Sequence, residues 1–111
     1  MGDGAESPLA EAMNRLWAKH LPQMEERVAT LQNAAERLAS GTLTQNDQEH
    51  ASADAHRLAG VLGTFGLTEG TELAREAEVL YGEAADPDKA ARLSLIAKRL
   101  KSMVANRGQG S

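Results

Sequence analysis

Residues 51 to 67 read Ala-Ser-Ala-Asp-Ala-His-Arg-Leu-Ala-Gly-Val-Leu-Gly-Thr-Phe-Gly-Leu. At about 100° per residue, Ala51, Ala55, Leu58, Leu62 and Phe65 fall together. This is the apolar stripe of a helix that packs on a core. His56 projects the opposite way. Its neighbours there are Ser52, Ala53, Ala59, Gly60 and Gly63, with Glu49 further toward the N-terminus. A glycine inside a helix is worse than alanine by about 1 kcal/mol, so Gly60 and Gly63 together cost roughly 2 kcal/mol. Close approach of something to this face accounts for that cost. Gly60 lies one turn after His56, where a larger side chain would crowd the imidazole. An exposed imidazole titrating near neutrality is a good nucleophile or proton carrier. The same small residues would also let two helices of one chain pack tightly, with His56 tucked between them.

Outward from this stretch, the composition decides the class. The chain has 111 residues, enough for one domain. Hydrophobic residues make up 41% and aromatics only 3%, so the core must be built from Leu, Ala, Met and Val. Ile96 is the only isoleucine, strand formers are nearly absent, and an all-α fold follows. There are no cysteines, which excludes a disulfide frame or a thiolate metal site. A net charge of −4 argues against a nucleic-acid binder. No apolar run approaches transmembrane length and no basic-then-apolar leader opens the chain, so a soluble cytoplasmic module is expected.

Residues 1–7 are expected to be a disordered segment. Ser7-Pro8 is an N-cap followed by proline at the first helical position. Leu9, Met13, Leu16, Trp17 and His20 continue in helical register until Pro22, which should kink or break the helix. The pattern resumes with Met24, Val28, Leu31, Ala35 and Leu38 and ends at Ser40-Gly41. This predicts an N-terminal helix and a longer, nearly collinear second one. Thr44 caps the helix that carries His56, and Gly66 stops it near Phe65. The next begins near Thr68, with Leu73, Ala77 and Leu80 as its buried stripe. Asp86-Pro87 opens the last, built on Leu93, Ile96, Ala97, Leu100, Met103 and Val104, and residues 107–111 read as a frayed tail. Short connections make neighbours antiparallel. The expected architecture is an antiparallel four-helix bundle with an additional N-terminal helix, spanning 8–106.

His56-Arg57-Leu58-x-Gly60, followed by Leu62-Gly63 and Phe65-Gly66, resembles the signature of histidine-containing phosphotransfer (HPt) domains. The similarity continues through Leu67-Thr68-Glu69-Gly70 into Leu73-Ala74-Arg75-Glu76. The resemblance implies a phosphorelay intermediate of two-component signalling. His56 would accept and donate the phosphoryl group, through an imidazole nitrogen expected to be Nε2. Ala53, Arg57, Ala59, Gly60 and Gly63 would form the phosphoryl environment and docking face, with Leu67 or residues of the second helix as an apolar rim. Many members carry a lysine three residues after the histidine. Here that position is Ala59, and Arg57, the nearby cation, projects about 100° around the helix. The implied partners are a response-regulator receiver domain and a hybrid histidine kinase. No cofactor belongs to this chain, Mg²⁺ being expected on the receiver. The chain is not expected to be an enzyme in its own right, nor to insert in a membrane, and it is expected to act as a monomer.

Competing readings are weaker. His20 lies on an apolar register and reads as a packing residue, and His50 reads as solvated. Asp47-x-x-His50 has the spacing of a carboxylate–histidine metal pair but lacks the second pair and further inward glutamates such a site needs. The glycines follow no strand and precede no P-loop lysine. Glu25, Glu26, Arg27, Glu36 and Arg37 read as a solvated face with i, i+4 pairs. A helical interaction module without chemistry is the principal alternative, and a bundle binding a ligand or metal between its helices is a third.

Overall fold

The computed structural model describes residues 7–109, with side chains through Arg107. Four α-helices follow one another: α1 (Pro8–Ser40), α2 (Gln45–Thr64), α3 (Thr68–Gly82) and α4 (Ala90–Gln109), the last entered through a 3-10 turn at Pro87–Lys89. Local chemistry sets the ends. Ser7 Oγ accepts from the Ala10 N–H at 3.0 Å and Thr44 Oγ1 from the Asp47 N–H at 3.1 Å. Gly41 closes α1 with φ 75°, its N–H turned back to the Arg37 and Leu38 carbonyls. Gly66, at φ 74°, makes the tight reversal between α2 and α3.

The helices form a square bundle in which α1 packs on α2 and α4, and α3 on α2 and α4. Cross-helix pairs give the directions. Arg37 meets Asp47 at 2.7 Å, Arg92 meets Glu76 at 2.7 Å and Arg99 meets Glu69 at 3.0 Å; numbers rise on one helix as they fall on its neighbour, so neighbours run antiparallel. Much of the core follows the expected periodicity. Met24, Leu31, Leu58, Leu62, Leu93, Ile96 and Leu100 are fully buried, with Ala51 and Ala55 beneath His56. Tyr81 crosses the core diagonally, and its buried hydroxyl donates to the Leu31 carbonyl at 3.1 Å. Burial pushes that phenol well above its ordinary pKa.

Several expectations are corrected. There is no separate N-terminal helix, because α1 runs unbroken through Pro22. Pro22 lies on the outer face and so does Ala18, whose carbonyl loses its i+4 donor; water can serve that carbonyl, while Trp17, Met24 and Val28 hold the inner face on both sides. Leu9 and Leu16 are consequently exposed, on the part of α1 that outruns the shorter α2. The last helix begins not at Pro87 but after the 3-10 turn. It then continues through Gln109, so residues 107–109 are helical. Arg107 lies 5.1 Å over the Trp17 ring and reaches Asn14 Oδ1 at 3.2 Å. The expectation for residues 1–6 lies outside the described residues, as do 110 and 111. On α3 the buried line is Gly70, Ala74, Ala77 and Tyr81, with Leu73 and Leu80 half-buried on its flanks. The face of α1 read as i, i+4 pairs instead sends Arg27 and Arg37 across to α2. His20 is half-buried as expected, its ring 6.5 Å from that of Phe65.

Tyr81→Phe should lower stability in urea unfolding by about 1 kcal/mol, the net worth of one hydrogen bond. Acid sensitivity has a smaller identifiable part. The Arg92 guanidinium bonded to Glu76 holds that carboxyl below the usual glutamate range. A depressed carboxylate stabilises the fold above the unfolded glutamate value of about 4.3, and the contribution vanishes as pH falls through the lowered value. Both side chains are well exposed, so Arg92→Ala should lower the urea midpoint only slightly at neutral pH, and by less at pH 3.

Candidate functional site

His56 stands in the middle of α2 with 73% of its side chain exposed. What surrounds it is set by the seam between α2 and α3. Ser52 Oγ donates to the Glu78 carbonyl at 3.0 Å. A Cβ added at Gly63 would meet Thr71 Oγ1 at 3.6 Å, and one at Gly82 would meet Ser52 Oγ at 3.9 Å. Small residues on both helices therefore bring the two backbones close, and this register lays Glu78 opposite His56. One Glu78 carboxylate oxygen lies 3.0 Å from His56 Nδ1. Further along, Gln48 donates from Nε2 to the Tyr81 carbonyl at 2.9 Å and also to the Glu83 carbonyl. Those bonds tie the end of α3 and the chain beyond it to α2.

The geometry assigns the ring's protons. A carboxylate only accepts hydrogen bonds, so the neutral imidazole carries its proton on Nδ1 and leaves the lone pair on Nε2. Two hollows flank the ring. One is lined by Leu43, Gln48, Ala53, His56, Tyr81 and Ala84. The other is lined by His56, Gly60, Arg75, Glu78 and Val79. Val79 is 59% exposed, an apolar side chain at the rim.

The sequence-derived site residues are only partly gathered here. Gly60 and Gly63 are exposed, and a Cβ at Gly60 would meet nothing within 4 Å. Ala53 is half-buried and lines the first hollow. Ala59 lines the second hollow with His56 and Gly60 but sits at its floor, 4% exposed, where α3 packs on that flank of α2. The bare strip is thus narrower than the helical wheel suggests. Arg57 is exposed and lines the first hollow with His56, its Nη1 3.5 Å from Asp54 Oδ1. Leu67 is half-buried against the core, so the apolar rim contact beside His56 is Val79.

Asp54 and Glu78 were not picked out from the sequence. Asp54 is only 6% exposed and gathers the His50 ring at 3.4 Å and two guanidinium groups, Arg57 at 3.5 Å and Arg27 at 3.9 Å. A signal existed, since Asp54 occupies the i+3 place between Ala51 and Leu58, and a carboxylate inside an apolar stripe needs partners. Glu78 gave none, because its significance lies in the register of another helix. Asp47 and His50 do not form a pair: Asp47 faces Arg37 and His50 faces Asp54. Among the described residues no group of three or more His, Asp or Glu side chains is arranged to hold a metal ion. No described helix is long and apolar enough to cross a membrane.

Fold and site together define a helical module, a four-helix bundle that presents the open imidazole of His56 with one ring nitrogen facing a carboxylate of the neighbouring helix. The chain matches the model of the Hpt domain family over residues 15–110 and belongs to that family. Membership supports a phosphotransfer role in two-component signalling. It is also 36% identical over 70 residues to Protein RcaC of Microchaete diplosiphon. That similarity covers 63% of this chain and 11% of RcaC, so this chain spans a small part of that relative. No solved structure matches the chain.

Replacing Glu78 tests the proton assignment. In ¹⁵N-resolved spectra of the His56 ring near pH 8, the parental chain should show Nδ1 as the protonated nitrogen. Glu78→Ala should move the population toward the Nε2-protonated tautomer while helicity is unchanged.

Proposed function

We propose that His56 carries the phosphoryl group, receiving it from or passing it to the aspartate of a response-regulator receiver domain. The supporting observation is the exposed ring whose Nδ1 proton faces Glu78, leaving the Nε2 lone pair toward solvent. In the loading direction, Nε2 forms the N–P bond as the P–O bond to the aspartyl oxygen breaks. That electron pair leaves on the regenerated carboxylate. The Nδ1 proton stays on the ring, where the Glu78 carboxylate offsets the charge the ring acquires. The receiver's own Mg²⁺ and cationic side chain would stabilise the transferring group. This chain supplies the nucleophile, its orientation and clearance, and is a substrate of its partners rather than an enzyme.

Clearance comes from Gly60, whose surroundings are open. Val79 and Ala53 give the receiver apolar contact on either side of the imidazole. A hybrid histidine kinase is the expected upstream partner. The core closes within one copy, which suits a monomer in the cytoplasm.

Incubation with an aspartyl-phosphorylated receiver should give an acid-labile, base-stable phosphate on this chain that vanishes in His56→Gln. A phosphate persisting in His56→Gln would overturn the assignment. Gly60→Arg should keep the helical fold yet lower the transfer rate at least about tenfold, a barrier change near 1.4 kcal/mol. A Gly60→Arg chain relaying at the parental rate would refute the clearance argument.

A further inference from the structure

A phosphoryl group on Nε2 brings between one and two negative charges onto a ring already bonded to the Glu78 carboxylate. The protonated ring between them carries one positive charge, which Glu78 already offsets, so the phosphoryl oxygens still lack a counter-charge from this chain once the receiver has left. Arg57 lines the hollow on the other side of the ring and has its Nη1 3.5 Å from Asp54 Oδ1. Arg27, Arg37, Arg92 and Arg99 likewise each have a carboxylate partner, and Arg107 is held at Trp17 and Asn14. Arg75 differs. It is exposed, no ion pair is formed by it among the described residues, and it lines the same hollow as His56, Gly60 and Glu78. It stands three residues before Glu78 and so on the same face of α3. The α2–α3 register, with Glu78 opposite His56 and Thr71 opposite Gly63, lays Arg75 across the seam from Ala59. Beside it, Gly60 leaves the space above the hollow open.

We propose that Arg75 is a phosphoryl-contacting residue, its guanidinium donating to the phosphoryl oxygens carried on Nε2 of His56. The cation that α2 lacks at position 59 is thus provided by α3. A guanidinium suits the task because its planar fork donates two parallel bonds to phosphate oxygens. The inference rests on the carrier reading of His56, and the experiment separates the two.

The parental chain, Arg75→Ala, Arg75→Lys and the double variant Arg75→Ala with Ala59→Lys are each loaded with potassium phosphoramidate and, separately, with an aspartyl-phosphorylated receiver. Phosphohistidine is followed by ³¹P NMR and folding by helicity. Arg75→Ala should remain helical and load about tenfold more slowly from both donors, the scale of one charge-assisted hydrogen bond. Arg75→Lys should recover most of the rate. The lysine at position 59 should also restore it, which a merely structural role for Arg75 would not allow; should that buried site reject lysine and unfold, Arg75→Lys alone serves as the rescue. A helical Arg75→Ala chain that loads within about twofold of the parental rate overturns this proposal and leaves the carrier reading standing. Failure of the parental chain to form phosphohistidine from either donor overturns both.

Discussion

The seam between α2 and α3 is the constraint from which the rest of the site follows. Two helices can lie this close only where side chains are small, and Ser52, Ala55, Ala59 and Gly63 face Thr71, Ala74, Glu78 and Gly82 along it. Close backbones fix the register, and the register determines which residue of α3 meets the imidazole. A shift of one residue would turn Glu78 away and bring Ala77 or Val79 to the ring. The hydrogen bond to Nδ1 is therefore a consequence of packing, and the role proposed for Nε2 rests on that bond.

The remaining helices hold this seam in place. Tyr81 fastens α3 to α1 through the core, Gln48 fastens the end of α3 to the start of α2, and Asp54 draws Arg27 of α1 toward α2. His56 thus rests on a framework braced from three sides while its own ring stays in solvent. A carrier needs this combination, because it must present a nucleophile to a bulky partner without rearranging. Carboxylates and cations are also sorted: most arginines are consumed in ion pairs or in holding helices together, while Arg75, which forms no ion pair among the described residues, lines the hollow beside His56.

Much was readable from the chain alone. Leu58, Leu62, Met24, Leu31, Ile96 and Leu100 announced their burial through 3.6-residue spacing, and Thr44, Gly41 and Gly66 marked helix ends through capping and positive φ. His56 stood out because it sits opposite its own helix's apolar stripe among residues with almost no side chain. Pro22 misled because its cost is local, whereas the burial of Trp17, Met24 and Val28 on either side is collective and keeps α1 whole. Ala59 misled because an alanine on a helix flank reads the same whether a neighbour covers it or not.

The sequence by itself determined that the chain would fold as amphipathic helices, which faces would be apolar, and that His56 would stand opposite its own helix's apolar stripe. Those are properties of single helices, and periodicity and capping suffice for them. Only the tertiary structure decided that Glu78 meets Nδ1, that Ala59 is covered, and that Arg57 and Arg75 each share a hollow with His56. Each of these depends on the rotation and stagger of one helix against another. Such relations are set by how side chains interlock across a seam, and no one-dimensional pattern encodes which residues will meet there.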